Sequence, residues 1–180
     1  MKLELAEDER PPAEMSLEEY LHSSWSPDCE FVDGRIEERN VGIFSHSALV
    51  GAIMFAMHLK RDEWRAQVLP SLRMRVSPTR VRVPDICLIG RDAPREQVLT
   101  HPPLVVIEVL DEEDRFSATM RKLADYEQFG VRRIWIVDPE RRDAYQYENR
   151  GLERVANGEL ILPGTPIRVV LSGLFAELDQ

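Results

Sequence analysis

Only two cysteines, Cys29 and Cys87, occur in the 180 residues, and they stand far apart with no CxxC pair. That excludes a disulfide scaffold and a zinc knuckle, and a reduced, cytoplasmic protein is the expectation. No apolar run approaches the ~20 residues that a membrane span needs, so no membrane partner is expected. The start, MKLELAEDERPP, lacks a basic region followed by an apolar stretch, so no signal peptide is expected either. Internal repeats and low-complexity tracts are absent as well. What remains is ordinary globular composition, 43% apolar and 31% charged, enough to bury one core. The reading is an acidic arm over residues 1–15, containing Pro11-Pro12, and a single domain over 16–180.

Positive charge is in deficit. Lys and Arg number 23 against 32 Asp and Glu, a net charge of −9, which at face value speaks against a nucleic-acid partner. The deficit is local. Residues 1–30 hold nine acids and two bases, a balance of −7, leaving only −2 for residues 31–180. Within that body, residues 60–82 hold seven bases and two acids, a local +5. Whole-chain charge is therefore a poor guide to the partner. Taken alone, the basic stretch reads as solvated faces of a helix end and two strands.

Ser16-Leu17-Glu18-Glu19 has the form of a capping box and predicts a helix over about 16–24. Asp33-Gly34, between Phe31-Val32 and Arg35-Ile36, signals a hairpin. Apolar residues at Leu49, Ile53, Phe55-Ala56, Leu59 and Trp64 predict a helix over about 46–65, with Ser45 as its cap. Residues 68–76 alternate and read as one half-buried strand; 81–89 reads as a second, with Pro84 tolerable only at an edge or bulge. Residues 104–110 read as a central strand, apolar on both faces, with one carboxylate in it. A helix over about 115–129 ends at Gly130, and 133–137 is another buried strand. Short meander strands at 144–147, 153–155, 159–162 and 167–170 precede a helical turn at 173–178. The order predicts an α/β (α+β) fold with a mixed central sheet.

Glu108 is the strongest anomaly. A carboxylate inside LVVIEVL costs several kcal/mol unless it is paired, protonated or bound to a cation. A strand-end side chain that reaches solvent is the other reading. Asp85 follows Pro84, which blocks ladder pairing, and bends in strands re-aim side chains toward sites. An Asp in a turn before a strand is equally ordinary. Lys122 falls at the border of its helix's apolar face, beyond Tyr126, where it either snorkels to water or turns in toward carboxylates. His46 near a helix start and Glu30 at a strand start gain meaning only with partners. Together, two carboxylates on adjacent strands can hold a hard divalent cation. A nearby lysine can stabilise or activate a water or a phosphate oxygen. That is the minimum for metal-assisted phosphodiester hydrolysis.

Pro84-Asp85 followed 23 residues later by Glu108 in an apolar strand resembles the PD-(D/E)XK nuclease superfamily, and more narrowly the Uma-type restriction endonuclease family. The matching stretches are Glu30-Phe31-Val32-Asp33-Gly34, His46, Val81-Arg82-Val83-Pro84-Asp85, residues 103–110, Lys122 with Tyr126, and residues 130–139; they run in family order from about 16 to 150. The resemblance implies a restriction-endonuclease-like core, a mixed sheet flanked by helices. It implies Mg²⁺ (Mn²⁺ as substitute) on Asp85 and Glu108 with the Val109 carbonyl, and a catalytic lysine. The superfamily's usual lysine position, two residues after the glutamate, is Leu110 here; in the Uma-type pattern Lys122 matches instead. Glu30 matches as an outer metal ligand or water orienter in the catalytic set. His46 matches as a phosphate contact or support, and Tyr126 is a further accessory residue. Two departures stand out: Asp111-Glu112 replaces the usual Ser-Pro, and Ser71 stands where the family often has Glu.

The implied activity is a Mg²⁺-dependent endonuclease acting on DNA. Arg73, Arg75, Arg80 and Arg82 are candidate phosphate contacts, which would make binding salt-dependent. No base-reading motif is evident. Two other readings are a non-catalytic nucleic-acid-binding module that keeps the fold, and an oligomer with Trp135, Tyr145 and Tyr147 at a self-interface. A homodimer or higher homo-oligomer is the expected assembly, with the acidic arm shielding the basic strands.

Overall fold

The computed structural model describes residues 14–26, 28–39, 42–111 and 115–179. Helix α1 (Leu17–Leu21) opens on the capping box: the Ser16 hydroxyl accepts from the Glu19 amide, and the Glu19 carboxylate accepts from the Ser16 amide. Strands β1 (Cys29–Val32) and β2 (Arg35–Glu38) form the predicted hairpin. Its turn residues Asp33 and Gly34 have φ of 51° and 90°, the positive-φ pair that a tight hairpin requires. Helix α2 (Phe44–Lys60) starts after Ile43, so Ser45 lies inside its first turn and is not its cap. It stops short of the predicted end because Arg65 turns into the left-handed region at φ 50° and Trp64 tucks into the core.

The two long strands expected over 68–76 and 81–89 are each broken in the middle. Strands β3 (Ala66–Pro70) and β4 (Met74–Ser77) replace the first; β5 (Arg80–Arg82) and β6 (Ile86–Gly90) replace the second. The pairs β4–β5 and β3–β6 are antiparallel, so the stretch is one long hairpin that leaves one sheet and enters another. The break has two causes. Pro84 has no N–H to give the ladder. Ser71, opposite, adopts φ 48°, and its amide bonds the Asp85 carbonyl at 3.2 Å across the bend.

The remaining elements are β7 (Val105–Val109), α3 (Phe116–Phe129), β8 (Arg133–Asp138), β9 (Asp143–Glu148), β10 (Gly151–Arg154), β11 (Glu159–Ile161), β12 (Arg168–Val170), α4 (Leu171–Phe175) and a 3₁₀ turn (Ala176–Asp179). The C-cap of α3 is Gly130 at φ 97°, a conformation only glycine takes cheaply. The main sheet has the order β10-β9-β8-β7-β6-β3, a mixed sheet in which β7 and β8 run parallel through the α3 crossover. A smaller sheet has the order β2-β1-β5-β4, and β11–β12 form a separate pair. The α/β (α+β) fold of the sequence reading is what the chain adopts.

Both faces of the main sheet are covered, as strands apolar on both sides demand. Leu88, Val105, Ile107 and Val137 point toward α2 and α4; Cys87, Val106, Ile134 and Ile136 point toward α3. Trp135 is 1% and Tyr147 4% exposed, so neither lines a self-interface; both fill the core. Of the predicted arm, residues 1–13 lie outside the described residues, as do 112–114 of the acidic run after β7. Glu14 and Met15 pair with the hairpin, through a bridge to Arg35 and a bond to the Gly34 carbonyl. Among the described residues, no helix is long and apolar enough to cross a membrane.

Candidate active site

The strand alternation of β7 decides Glu108. It shares a face with Val106, two residues earlier, and therefore points at α3 and not at solvent. It is 7% exposed. Lys122 and Tyr126, one turn apart on α3, meet it there. Lys122 Nζ lies 2.9 Å from Oε1 and 3.0 Å from Oε2, and the Tyr126 hydroxyl donates to Oε1 at 2.6 Å. Burial still dominates: it pushes the Glu108 pKa up to about 7, helped by Asp85 and Glu30 and opposed by Lys122.

Asp85 sits on the seam where the bent hairpin passes between sheets. Its Oδ2 accepts the Val109 amide at 2.9 Å and lies 3.3 Å from His46 Nε2; its Oδ1 accepts from Arg39 Nη2 at 2.7 Å. Burial opposes its ionisation, but His46, Lys122 and the Val109 amide together hold its pKa down at about 2. The two carboxylates are thus driven apart in acidity by their surroundings, a pattern of sites that assign different roles to similar groups.

Glu30, at the start of β1, completes the arrangement. Its Oε1 accepts from the Val83 amide at 2.9 Å and faces Lys122 Nζ at 3.0 Å; its Oε2 accepts from Arg82 at 2.7 Å. Desolvation works against the charge on Glu30, yet Lys122 and Arg82 lower its pKa. Lys122 also donates to the Val83 carbonyl at 3.1 Å. Burial disfavours its ammonium, but the carboxylates around it prevail and raise its pKa, so it stays charged. All of Glu30, His46, Asp85, Glu108, Val109 and Lys122 line one cavity of about 300 Å³.

Several participants carry no sequence signal. Arg39 lies in a polar run, Glu37-Glu38-Arg39, that reads as solvated. Asp125 lies on α3, where it accepts from Arg82 Nε at 2.8 Å and from Arg80 at 2.7 Å. Glu37 also accepts from Arg82, at 2.9 Å. Of the four arginines assigned to phosphate, three have internal partners. Arg73 pairs with Asp28 and stacks 4.4 Å over Tyr20; Arg80 pairs with Asp33 and Asp125; Arg82 is buried at 2% exposure among three acids. Arg75 alone of the four is exposed, with a 3.5 Å contact to the Pro78 carbonyl.

Among the described residues, no group of three or more His, Cys, Asp or Glu is arranged to hold a metal ion. Asp85 and Glu108 nonetheless line one cavity, and a pair of carboxylates is the oxygen-donor chemistry that suits a hard divalent cation.

Residues 17–171 match the family described as "Uma2: Putative restriction endonuclease". The chain belongs to the Uma2 family. Restriction-endonuclease-like families generally use divalent metals. The fold of this Uma2 chain is shared by "a putative nuclease belonging to DUF820 from Anabaena variabilis ATCC 29413", at TM-score 0.78 and 19% identity over 91% of this chain and 99% of that one. A second solved structure, the DrdV–DNA complex, aligns at TM-score 0.37 and 19% identity over 68% of this chain and 10% of that one, too partial a likeness to bear on the fold. No curated protein matches.

Proposed function

We propose that this Uma2-family chain is a PD-(D/E)XK-type endonuclease that hydrolyses phosphodiester bonds in DNA with Mg²⁺, or Mn²⁺ in its place. The observation that carries the reading is the meeting in one cavity of Asp85 from the bend between β5 and β6, Glu108 from β7 and Lys122 from α3. Asp85 and Glu108 would hold the cation, with the Val109 carbonyl as a further oxygen. When bound, such a cation supplies Lewis-acid polarisation and eases deprotonation of water.

The chain's own groups do the rest. Lys122, kept as an ammonium by the carboxylates around it, stabilises negative charge developing on phosphate and orients water. Glu30 and the Val83 carbonyl fix its Nζ at 3.0 and 3.1 Å. Tyr126 fixes the rotamer of Glu108 by its 2.6 Å hydrogen bond. His46 and the Val109 amide hold Asp85 in the orientation seen.

Incubation with plasmid and single-stranded DNA in Mg²⁺ or Mn²⁺ tests this. Cleavage is expected, abolished by a chelator and by Glu108→Gln. Absence of cleavage with either cation, or undiminished cleavage by Lys122→Met, would overturn it.

A further inference from the structure

The cavity's cations are not held equally. Lys122 is fixed by Glu30, Glu108 and the Val83 carbonyl. Arg82 is fixed by Glu30, Glu37 and Asp125. Arg39 has one strong partner, Asp85 Oδ1 at 2.7 Å, and a long 3.4 Å contact to Ser71 Oγ. Its side chain is 18% exposed, so it borders the cavity with access to water.

The two oxygens of Asp85 are also unequal. Oδ2 takes the Val109 amide, a backbone group set in the main sheet that cannot move without disturbing β7, and lies 3.3 Å from His46 Nε2. Among the described residues, Oδ1 takes only Arg39 Nη2, the end of a long side chain. A cation arriving at Asp85 therefore meets its competitor at Oδ1, and the competitor is Arg39. Two like charges on one carboxylate oxygen in a buried site repel strongly, so one leaves. Guanidinium presents a planar fork matched to phosphate oxygens. A phosphodiester brings one negative charge into the same cavity.

We propose that Arg39 is a phosphate ligand held in reserve on Asp85: divalent cation binding displaces it from Oδ1, and the freed guanidinium then contacts the phosphodiester of the substrate. This rests on the proposed metal-dependent nuclease reading and adds a substrate contact, together with an ordered exchange of partners. It also accounts for a cavity-facing arginine in a chain whose Arg73, Arg80 and Arg82 are engaged in internal ion pairs.

The test uses the full chain labelled with ¹⁵N and titrated with Mg²⁺. The Val109 amide reports on Asp85, and the Arg39 Nε resonance reports on the guanidinium. Both are expected to shift with one midpoint. A shift at Val109 with Arg39 unmoved overturns the exchange and leaves the nuclease reading standing. No shift at Val109 removes both. Arg39→Gln supplies the second arm: Mg²⁺ binding is expected to tighten about tenfold, and binding of a phosphorothioate oligonucleotide in Mg²⁺ to weaken about tenfold, roughly the worth of one charge-assisted hydrogen bond. Opposite signs are the signature. Both affinities falling, or neither changing, would contradict the proposal. The wild-type titration stands even where the variant does not fold.

Discussion

Lys122 on α3 holds its Nζ 2.9 Å from Oε1 of Glu108 on β7, inside a site where Glu108 is 7% exposed. This pairing gives the anomalous strand carboxylate its partners. A buried carboxylate alone would be neutral; with a fixed ammonium, a hydroxyl and a second carboxylate beside it, its charge becomes controllable.

The pH dependence of stability follows from that environment. Burial, reinforced by Asp85 and Glu30, raises Glu108 from 4.5 to about 7. Between those values the folded chain holds a proton that the unfolded chain has released, so stability falls as pH rises through the window. Asp85 acts in the opposite sense at lower pH: lowered from 3.8 to about 2, it adds stability that is lost as pH falls through about 2. Urea denaturation in chelator at pH 5 and pH 8 is expected to give the lower midpoint at pH 8. Glu108→Gln should flatten the difference; an equal drop in that variant contradicts the assignment.

In the proposed metal-binding role the same proton would govern cation uptake. Glu108 must lose it to serve as a ligand. Mg²⁺ affinity is therefore expected to rise about tenfold per pH unit below the Glu108 pKa of about 7 and to level off above it. Calorimetry in two buffers of different ionisation enthalpy would show the released proton. A flat affinity from pH 5 to pH 8 contradicts this.

Arg82 carries a structural load. Removing it takes one ion-pair partner from each of two buried carboxylates, leaving Glu30 with Lys122 and Asp125 with the partly exposed Arg80. Arg82→Met is expected to cost about 3–5 kcal/mol in denaturant unfolding. Exposed Arg75→Ala should change stability by less than about 0.5 kcal/mol. Comparable losses in the two variants would refute the ion-pair network as a source of stability.

Residues 1–13 carry four acids and two bases. Their deletion leaves the Glu14 and Met15 contacts to the hairpin in place. DNA affinity is expected to rise a few-fold at low salt, with the gain shrinking as salt is added. Fluorescence anisotropy at two ionic strengths measures it; unchanged or weaker binding contradicts shielding by the arm.

Much of this was legible from residue order. Glu108 declared itself by interrupting an apolar strand, and the capping box, the Asp33-Gly34 turn and Gly130 each marked an element boundary through local chemistry. The bend at Asp85 was only half visible. Pro84 announced it on one strand, but Ser71 adopts its left-handed conformation without a glycine to signal it. Arg39 and Asp125 were invisible for a different reason: Arg39 stands in polar sequence and Asp125 between Ala124 and Tyr126 on a helix, and only tertiary packing shows what each meets. The same crossing converted the local +5 of residues 60–82 from a presumed phosphate-binding face into internal ion pairs at Arg73, Arg80 and Arg82.

The central claim is that Asp85 and Glu108 jointly hold a divalent cation beside Lys122. A crystal soaked in Mn²⁺ and measured for anomalous scattering tests it most directly. One peak bound by both carboxylates, with the Lys122 ammonium at the same cavity, is the expected result; no peak there, or a peak that survives Asp85→Asn with Glu108→Gln, would contradict the account.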